Sequence, residues 1–398
     1  MSLVFVVFGA LLVLERVLKQ LLVLRFFRRP PPQESLEPRL VSVLQPVVSG
    51  DSGLEAVLER SLLSRSRFTR ETLWLADEDD PAAIALCTGL AARHPTANAR
   101  VLRLPPPPEG ASPKMFKLLA GARAARGDVL CVLDDDTVLP DGAFELCLPY
   151  LAQPGVGLAF GLPYYESFEG LWSSLVACFV NRNALPTYLP HTAWIEPFTI
   201  NGMFYVLERS TYDAIGGFEG LERWATDDFA VAQHVRAHGL KLAQTPLLHP
   251  IRTHVAGPRH YLRLLQRWFV FPRETLYRGL AWRELAVVYG LAFAPAVGPL
   301  VFLAGFVLAP STALALVLAL YVLHDLLFVA QMNVRWQRRA MPWSRLPLVL
   351  LTDFLLPFQV LFALLAPQRI DWRGNLMRIH RGGTFEYLRR AEHGGEAG

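Results

Sequence analysis

From Val41 to Leu133 short apolar runs alternate with stretches of helical periodicity, and few folds accept that pattern. Val41–Pro46, Thr72–Ala76, Arg100–Leu104 and Asp128–Leu133 read as strands, and Leu54–Leu63, Ala82–Arg93 and Lys114–Ala125 as the helices between them. Alternation of this kind implies right-handed crossovers and a parallel sheet, so the expected class is α/β and Rossmann-like. Ligands of such sheets bind beyond the carboxyl ends of the strands. Two acidic groups fall at such ends: Asp77-Glu78-Asp79-Asp80-Pro81, and Asp134-Asp135-Asp136 directly after Leu133.

Asp134 and Asp136 are one residue apart, so their carboxylates point the same way and could hold a hard divalent cation, Mg²⁺ or Mn²⁺, together with a substrate diphosphate. The alternative is an acidic β-turn, for which Asp is well suited. A third acidic group, Thr226-Asp227-Asp228, opens a helical stretch. Thr226 or Asp227 would serve there as an N-cap. The functional alternative is a general base, because an attacking alcohol must lose its proton. The three groups together could serve a nucleotide, a metal ion and a proton.

The chain is 52% hydrophobic and 19% charged, too apolar for an ordinary soluble enzyme, and the excess lies at its ends. Residues 1–29 read as a transmembrane anchor whose charged half, with Glu15, Arg16 and Lys19, lies near the interface; Arg25, Arg28 and Arg29 then place the following domain, residues 38–257, in the cytoplasm. Residues 258–281 mix Tyr261, Leu265, Trp268 and Phe269 with Arg263, Arg267 and Arg273, as an amphipathic helix lying in the membrane surface would. Residues 282–367 hold three segments of roughly membrane-spanning length, Leu285–Leu308, Ala313–Ala330 and Leu346–Leu365. Four spans in all would put the domain and the basic tail, residues 368–398, in awkward parity. Leu346–Leu365, with Asp353 and Pro357, is therefore expected to be re-entrant or interfacial, and the first segment, with Pro295 and Pro299, is the other candidate for a broken helix. His324 and Asp325 lie within an apolar span and are expected to face protein or water. The four cysteines have no metal-ligand spacing and read as reduced core thiols. The net charge of +4 is modest and its arginines border apolar segments, so the expected partner is a membrane surface and not nucleic acid.

In these motifs the chain resembles the inverting, lipid-modifying glycosyltransferases of the GT-A (nucleotide-diphospho-sugar transferase) fold, and more narrowly the ceramide glucosyltransferases. The resemblance runs from about Val41 to Tyr387, through Val43-Leu44-Gln45-Pro46, Asp77–Pro81 with Cys87, Ser112-Pro113-Lys114, Gly161-Leu162-Pro163-Tyr164, Gly202-Met203, Asp227-Asp228-Phe229 with Gly239, Arg267-Trp268, Trp372-Arg373 and Gly382-Gly383-Thr384. It implies that Asp77 and Lys114 contact the nucleotide, that Asp134 and Asp136 bind the metal and diphosphate, and that Asp228 is the base. It further implies that Arg267 and Trp268 serve the donor site and that Gly202, Met203 and Trp268 line the acceptor side. One position departs: Leu264 stands where the family has Gln or Arg, with Arg263 and Gln266 alongside. The expected activity is transfer of a sugar, glucose foremost, from a UDP-sugar to a lipid hydroxyl such as that of ceramide, in a bacterial inner membrane or, in a eukaryote, the ER or Golgi. The alternatives are another lipid (hopanoid, diacylglycerol, polyprenyl phosphate), another UDP-sugar, or a transporter or scaffold with a nucleotide-sensing domain.

Overall fold

The computed structural model describes all residues except 272–279, 373–374, 381–382 and 390–398. Seven strands form one sheet: β1 (Val41–Val47), β2 (Arg70–Asp77), β3 (Ala99–Leu104), β4 (Val129–Leu133), β5 (Val156–Tyr165), β6 (Phe204–Glu208) and β7 (Lys241–Ile251), in the order β3-β2-β1-β4-β6-β5-β7. All pairs are parallel except those of β6, which runs antiparallel to β4 and β5. This is the α/β architecture expected of a GT-A domain. β1 and β4 are buried along their whole length, as central strands covered on both faces must be.

The helices are α1 (Ser2–Phe27), α2 (Leu54–Leu62), α3 (Pro81–Arg93), α4 (Pro113–Ala124), α5 (Ala143–Leu151), α6 (Gly170–His191), α7 (Arg209–Ala214), α8 (Asp227–Ala237), α9 (Pro258–Phe271), α10 (Trp282–Leu308), α11 (Thr312–Arg335) and α12 (Leu346–Leu365). One face of the sheet packs Leu44, Leu130 and Val132 against α4 and α8 through Met115, Leu118, Val231 and Val235. The other packs Val43, Cys131 and Val206 against α5 through Phe144, Cys147 and Leu148. All four cysteines are buried and free.

A separate core joins α1, α6, α9, α11 and α12 to the end of β5, through Val23, Tyr165, Leu175, Leu185, Leu265, Phe328 and Val349. α6 thus belongs by sequence to the nucleotide-type domain and by packing to the apolar helices. α11 and the stretch Trp343–Phe362 are each long and apolar enough to cross a membrane. α10 has the length too, but bends by 46° between Leu291 and Ala296. The break therefore falls on the first C-terminal segment and not on Leu346–Leu365, which is one continuous helix despite Pro357.

The charges of α1, expected near the membrane interface, are partnered inside the protein. Arg16 and Lys19 are 2% and 1% exposed and turn into the bundle. Arg16 approaches Asp325 and Asp353 at 3.9 Å each, and its Nη2 donates to the Tyr321 hydroxyl. Lys19 pairs with Glu15 and donates to the Leu291 carbonyl. Arg182 of α6 completes the cluster, with Nε 2.8 Å from Asp325 and Nη2 2.8 Å from Asp353. In an apolar surrounding a charge is tolerable only beside its opposite; His324, next in sequence, meets Gln20 at 2.9 Å.

The tail is not simply basic. Residues 369–389 form a three-stranded antiparallel meander, β8 (Arg369–Trp372), β9 (Asn375–Ile379) and β10 (Phe385–Arg389), around Ile370, Met377, Ile379 and Phe385. Alternate residues face inward, which leaves the arginines outside. Arg373 and Gly382 of the tail motifs lie outside the described residues, as does the second half of the expected 258–281 helix.

Candidate active site

At the carboxyl edge of the sheet Asp77 ends β2, and Lys117, one turn into α4, reaches it at 2.7 Å while donating to the Val47 carbonyl at 3.0 Å. Asp80 has a plainer task. It N-caps α3, accepting from Ala83 N at 3.0 Å, and its other oxygen accepts from Ser49 N at 2.8 Å.

The three aspartates after β4 diverge. Asp135 turns back to accept from Val48 N at 3.0 Å, so it fixes the loop after β1. Asp136 accepts from the Thr137 and Thr253 hydroxyls at 3.2 and 3.3 Å. Asp134 faces Lys114, whose Nζ lies 2.7 Å from Asp134 Oδ1, 2.9 Å from Asp227 Oδ2 and 3.2 Å from the Gly202 carbonyl. An ammonium has three donors, and each has an oxygen here. Burial alone would lower the Lys114 pKa; the two carboxylates outweigh it and hold it well above the ordinary lysine value. The Asp134 carboxyl is raised by burial, against the pull of Lys114. The resemblance has Lys114 facing a nucleotide. In this structure it is the tie between the ends of β4, α8 and the Gly202 turn.

Asp228 stands beside this tie. Its Oδ1 accepts from Phe229 N at 2.7 Å. Desolvation, then the neighbouring Asp227 charge, push its carboxyl up to about 7. Gly202 stands close against Asp228: a Cβ there would sit 2.8 Å from Asp228 Cβ, and something would have to shift. The next residue, Met203, accepts from Asp134 N at 3.0 Å through its carbonyl, so the Gly202-Met203 turn links Asp228 and the acidic turn. Thr226 is the N-cap residue of α8, without a side-chain capping bond, and both aspartates lie in the helix's first turn. Gly239 closes that helix at φ +76° and is a terminator, not a site residue.

Arg267 and Trp268 arrive on α9 from the apolar side. Trp268 stacks on Phe179 at 6.2 Å between centroids and meets Tyr165 edge-on at 6.4 Å. Tyr165 is buried, and burial raises its phenol; Asp136, Arg267 and Asp134 all act on it electrostatically. α9, expected to lie in the membrane surface, packs one side of its apolar face on protein. Tyr261, Leu264 and Leu265 are buried against α6 and α12, and Tyr261 accepts from Gln359 at 2.6 Å. Amphipathicity reports that a helix has something apolar to cover, and here that is protein. Leu264 fills this core. Gln266 and Arg263 turn instead to the meander, where Gln266 donates to the Pro367 and Arg369 carbonyls and Arg263 lies 3.4 Å from Asp371.

Lys117, Tyr165 and Asn181 escaped the sequence analysis. Asn181 of α6 clamps the Tyr165 backbone from both sides, accepting from its N–H at 2.6 Å and donating to its carbonyl at 2.8 Å. An asparagine inside an apolar helix was the available signal.

Among the described residues, no three His, Cys, Asp or Glu side chains gather closely enough to hold a metal ion by themselves. Two carboxylates suffice for a cation that keeps its waters and takes its other ligands from a diphosphate. Asp134 and Asp136 are the two carboxylates of the acidic turn that could supply that donor set, Asp134 beside Lys114 and Asp136 beside the Thr137 and Thr253 hydroxyls.

Ceramide glucosyltransferase 1 of Caenorhabditis elegans is 23% identical to the chain over 362 residues, 90% of this chain and 75% of that protein. Among solved structures, the mannosyltransferase PcManGT from Pyrobaculum calidifontis in complex with GDP-Man and Mn²⁺ superposes with a TM-score of 0.49 at 16% identity, over 88% of this chain and 98% of the other. GalNAc-T7 with UDP, GalNAc and Mn²⁺ superposes at 0.45 and 14%, over 65% and 54%. The profile of glycosyl transferase family 21 matches residues 4–385, nearly the whole length, and the chain is a member of that family.

Proposed function

We propose that this glycosyltransferase moves a sugar, glucose foremost, from a UDP-sugar to the hydroxyl of a membrane lipid such as ceramide, with inversion. The observation that carries the reading is the position of Asp228. It is the carboxylate with a pKa raised to about 7, and it adjoins the Asp134–Lys114–Asp227 tie. A base near neutrality suits removal of an alcohol proton.

Asp228 takes the acceptor proton as the hydroxyl oxygen bonds to the anomeric carbon, and the bond from that carbon to the diphosphate breaks, releasing UDP. A single displacement inverts the anomeric centre. Asp77, fixed by Lys117, lies at the strand end suited to the nucleoside, and Arg267 offers a guanidinium fork to the diphosphate. Asp134 and Asp136 would hold Mg²⁺ or Mn²⁺, which when bound neutralises the leaving diphosphate. Trp268, Met203 and Gly202 border the acceptor side. Two helices of membrane-crossing length support delivery of a lipid from the bilayer. Trp268, stacked on Phe179 and edge-on to Tyr165, is read as part of the wall of the site.

The test is to incubate the purified protein with a panel of UDP-sugars and lipid acceptors, with and without EDTA, and to identify products by mass spectrometry and their anomeric configuration by NMR. A β-linked glucosyl lipid that requires divalent metal is expected. Transfer to none of the lipids, or a retained α-linkage, would overturn the reading; transfer to a different lipid or from a different UDP-sugar would revise the substrate alone.

A further inference from the structure

The site is carried by three segments far apart in sequence: the loop before α4 with Lys114, the loop before α8 with Asp227 and Asp228, and α9 with Arg267 and Trp268. The C-terminal meander touches all three. The Tyr387 hydroxyl donates to the Ala111 carbonyl at 3.1 Å, three residues before Lys114. Ala225 N donates to the Gly383 carbonyl at 2.8 Å and Trp224 forms an antiparallel bridge with Thr384, two and three residues before Asp227. Ala225 also packs on the meander's apolar core. On the third side, Gln266 Nε2 donates to the carbonyls of Pro367 and Arg369, both at 2.9 Å, in the stretch that leads from α12 into β8. The first two loops are joined directly as well, Ser112 N donating to the Glu222 carbonyl at 2.6 Å.

We infer that the meander, residues 369–389, is a strap that sets the spacing of the site, with Tyr387 and Gln266 as its positioning side chains. The contacts named fall on two loops and on α9, which carry site residues, and not on the strands of the seven-stranded sheet, so loosening them changes alignment before it changes the fold. Alignment is costly to lose: a displacement of about 1 Å at a reacting group can cost about 10²-fold in rate. The strap begins where α12 ends, so the packing of the apolar helices is transmitted to Lys114 and Asp228 through one continuous stretch of chain. The inference rests on the site assignment above, but its structural part can be tested without any turnover.

The experiment uses the full-length protein in lipid nanodiscs and two conservative variants, Tyr387→Phe and Gln266→Met. Hydrogen exchange read by mass spectrometry should rise about 3–10-fold across residues 108–116 and 220–228 in Tyr387→Phe, the loss expected of one hydrogen bond, while β1 and β4 stay unchanged. With UDP-glucose and a short-chain ceramide, both variants should raise the donor KM or lower kcat by a similar factor at unchanged melting temperature. Exchange that rises only within residues 369–389 would overturn the strap. Turnover at the parent rate despite faster exchange in the two loops would overturn its positioning role. If no UDP-sugar is turned over at all, the proposed function fails, and the exchange result still decides whether the strap exists.

Discussion

Lys114 Nζ sits 2.7 Å from Asp134 Oδ1, so the first aspartate of the acidic turn is already neutralised by a lysine twenty residues earlier. The same ammonium holds Asp227. Replacing it should therefore unbalance two carboxylates at once. Lys114→Met is expected to cost about 2–3 kcal/mol of stability, somewhat less than for a fully buried pair because both carboxylates remain partly exposed. Chemical denaturation measures the loss, and a double-mutant cycle with Asp134→Asn should recover part of it. Strict additivity of the two changes would show that the contact carries no energy.

Asp228→Asn should lower transfer by about 10²–10⁴-fold while UDP-sugar binding survives, because the amide cannot take a proton. Asp227→Asn should retain turnover, weakened through Lys114. Binding by calorimetry and transfer by product assay separate the two effects. The reverse pattern, with Asp227 indispensable and Asp228 replaceable, would assign the base to the wrong carboxylate.

The same residue sets a pH dependence. A base works deprotonated, and its carboxyl is raised to about 7. The expected kcat/KM therefore falls as pH drops through about 7 and levels off above it, where an ordinary carboxylate would leave the rate flat down to about pH 5. Initial rates between pH 5 and 8.5 decide this; a flat profile from 5 to 8 would remove Asp228 from that role.

Gly202→Ala places a methyl 2.8 Å from Asp228 Cβ. Since α8 begins at Asp227, the turn and not the helix should give way, at a cost of about 1–3 kcal/mol. Transfer should fall further than stability does, because the base moves relative to Lys114. Parent-level turnover by Gly202→Ala would show that the close approach is not needed for catalysis.

Arg182 lies between Asp325 and Asp353 at 2.8 Å from each, 1% exposed. Arg182→Met should destabilise the protein by about 3–5 kcal/mol, since two carboxylates would be left to Arg16 alone. Adding Asp325→Leu restores the charge balance and should recover part of the loss in a thermal unfolding assay. A double variant less stable than the single would refute that balance argument.

The first four strands were legible because their signals are local; β5, β6 and β7, and the antiparallel course of β6, were not read. Val41, Asp77 and Leu133 bound apolar runs, and turn-forming or acidic residues close them, so strand ends fell within a few residues of those observed. The acidic groups were legible for the same reason. Their partners were not: Lys114 meets Asp227 across more than a hundred residues, and no periodicity reports that. The direction of a helix face was equally hidden. The pattern of α9 fits a bilayer or a neighbouring helix, and only the fold supplies the neighbour. Arg16 and Lys19 read as interfacial because Asp325 and Asp353, which hold Arg16, lie more than three hundred residues on. In the tail the count of arginines obscured an alternation, Ile370, Met377, Ile379, Phe385, that marks the meander's inner face.

The cluster around Arg182 also fixes an order of events at the ribosome. Arg182 is made 143 residues before Asp325, and Asp353 follows later still. At about 5–20 residues per second the guanidinium waits on the order of ten seconds for its first carboxylate. Until then the buried guanidinium lacks the carboxylates that hold it in the finished fold, on the same helix as Asn181, which holds Tyr165. The first half of the chain thus carries a buried charge whose partners come from its last third. A fragment ending near residue 257 would carry every aspartate of the site and still emerge as a nascent chain that has not been told to stop searching.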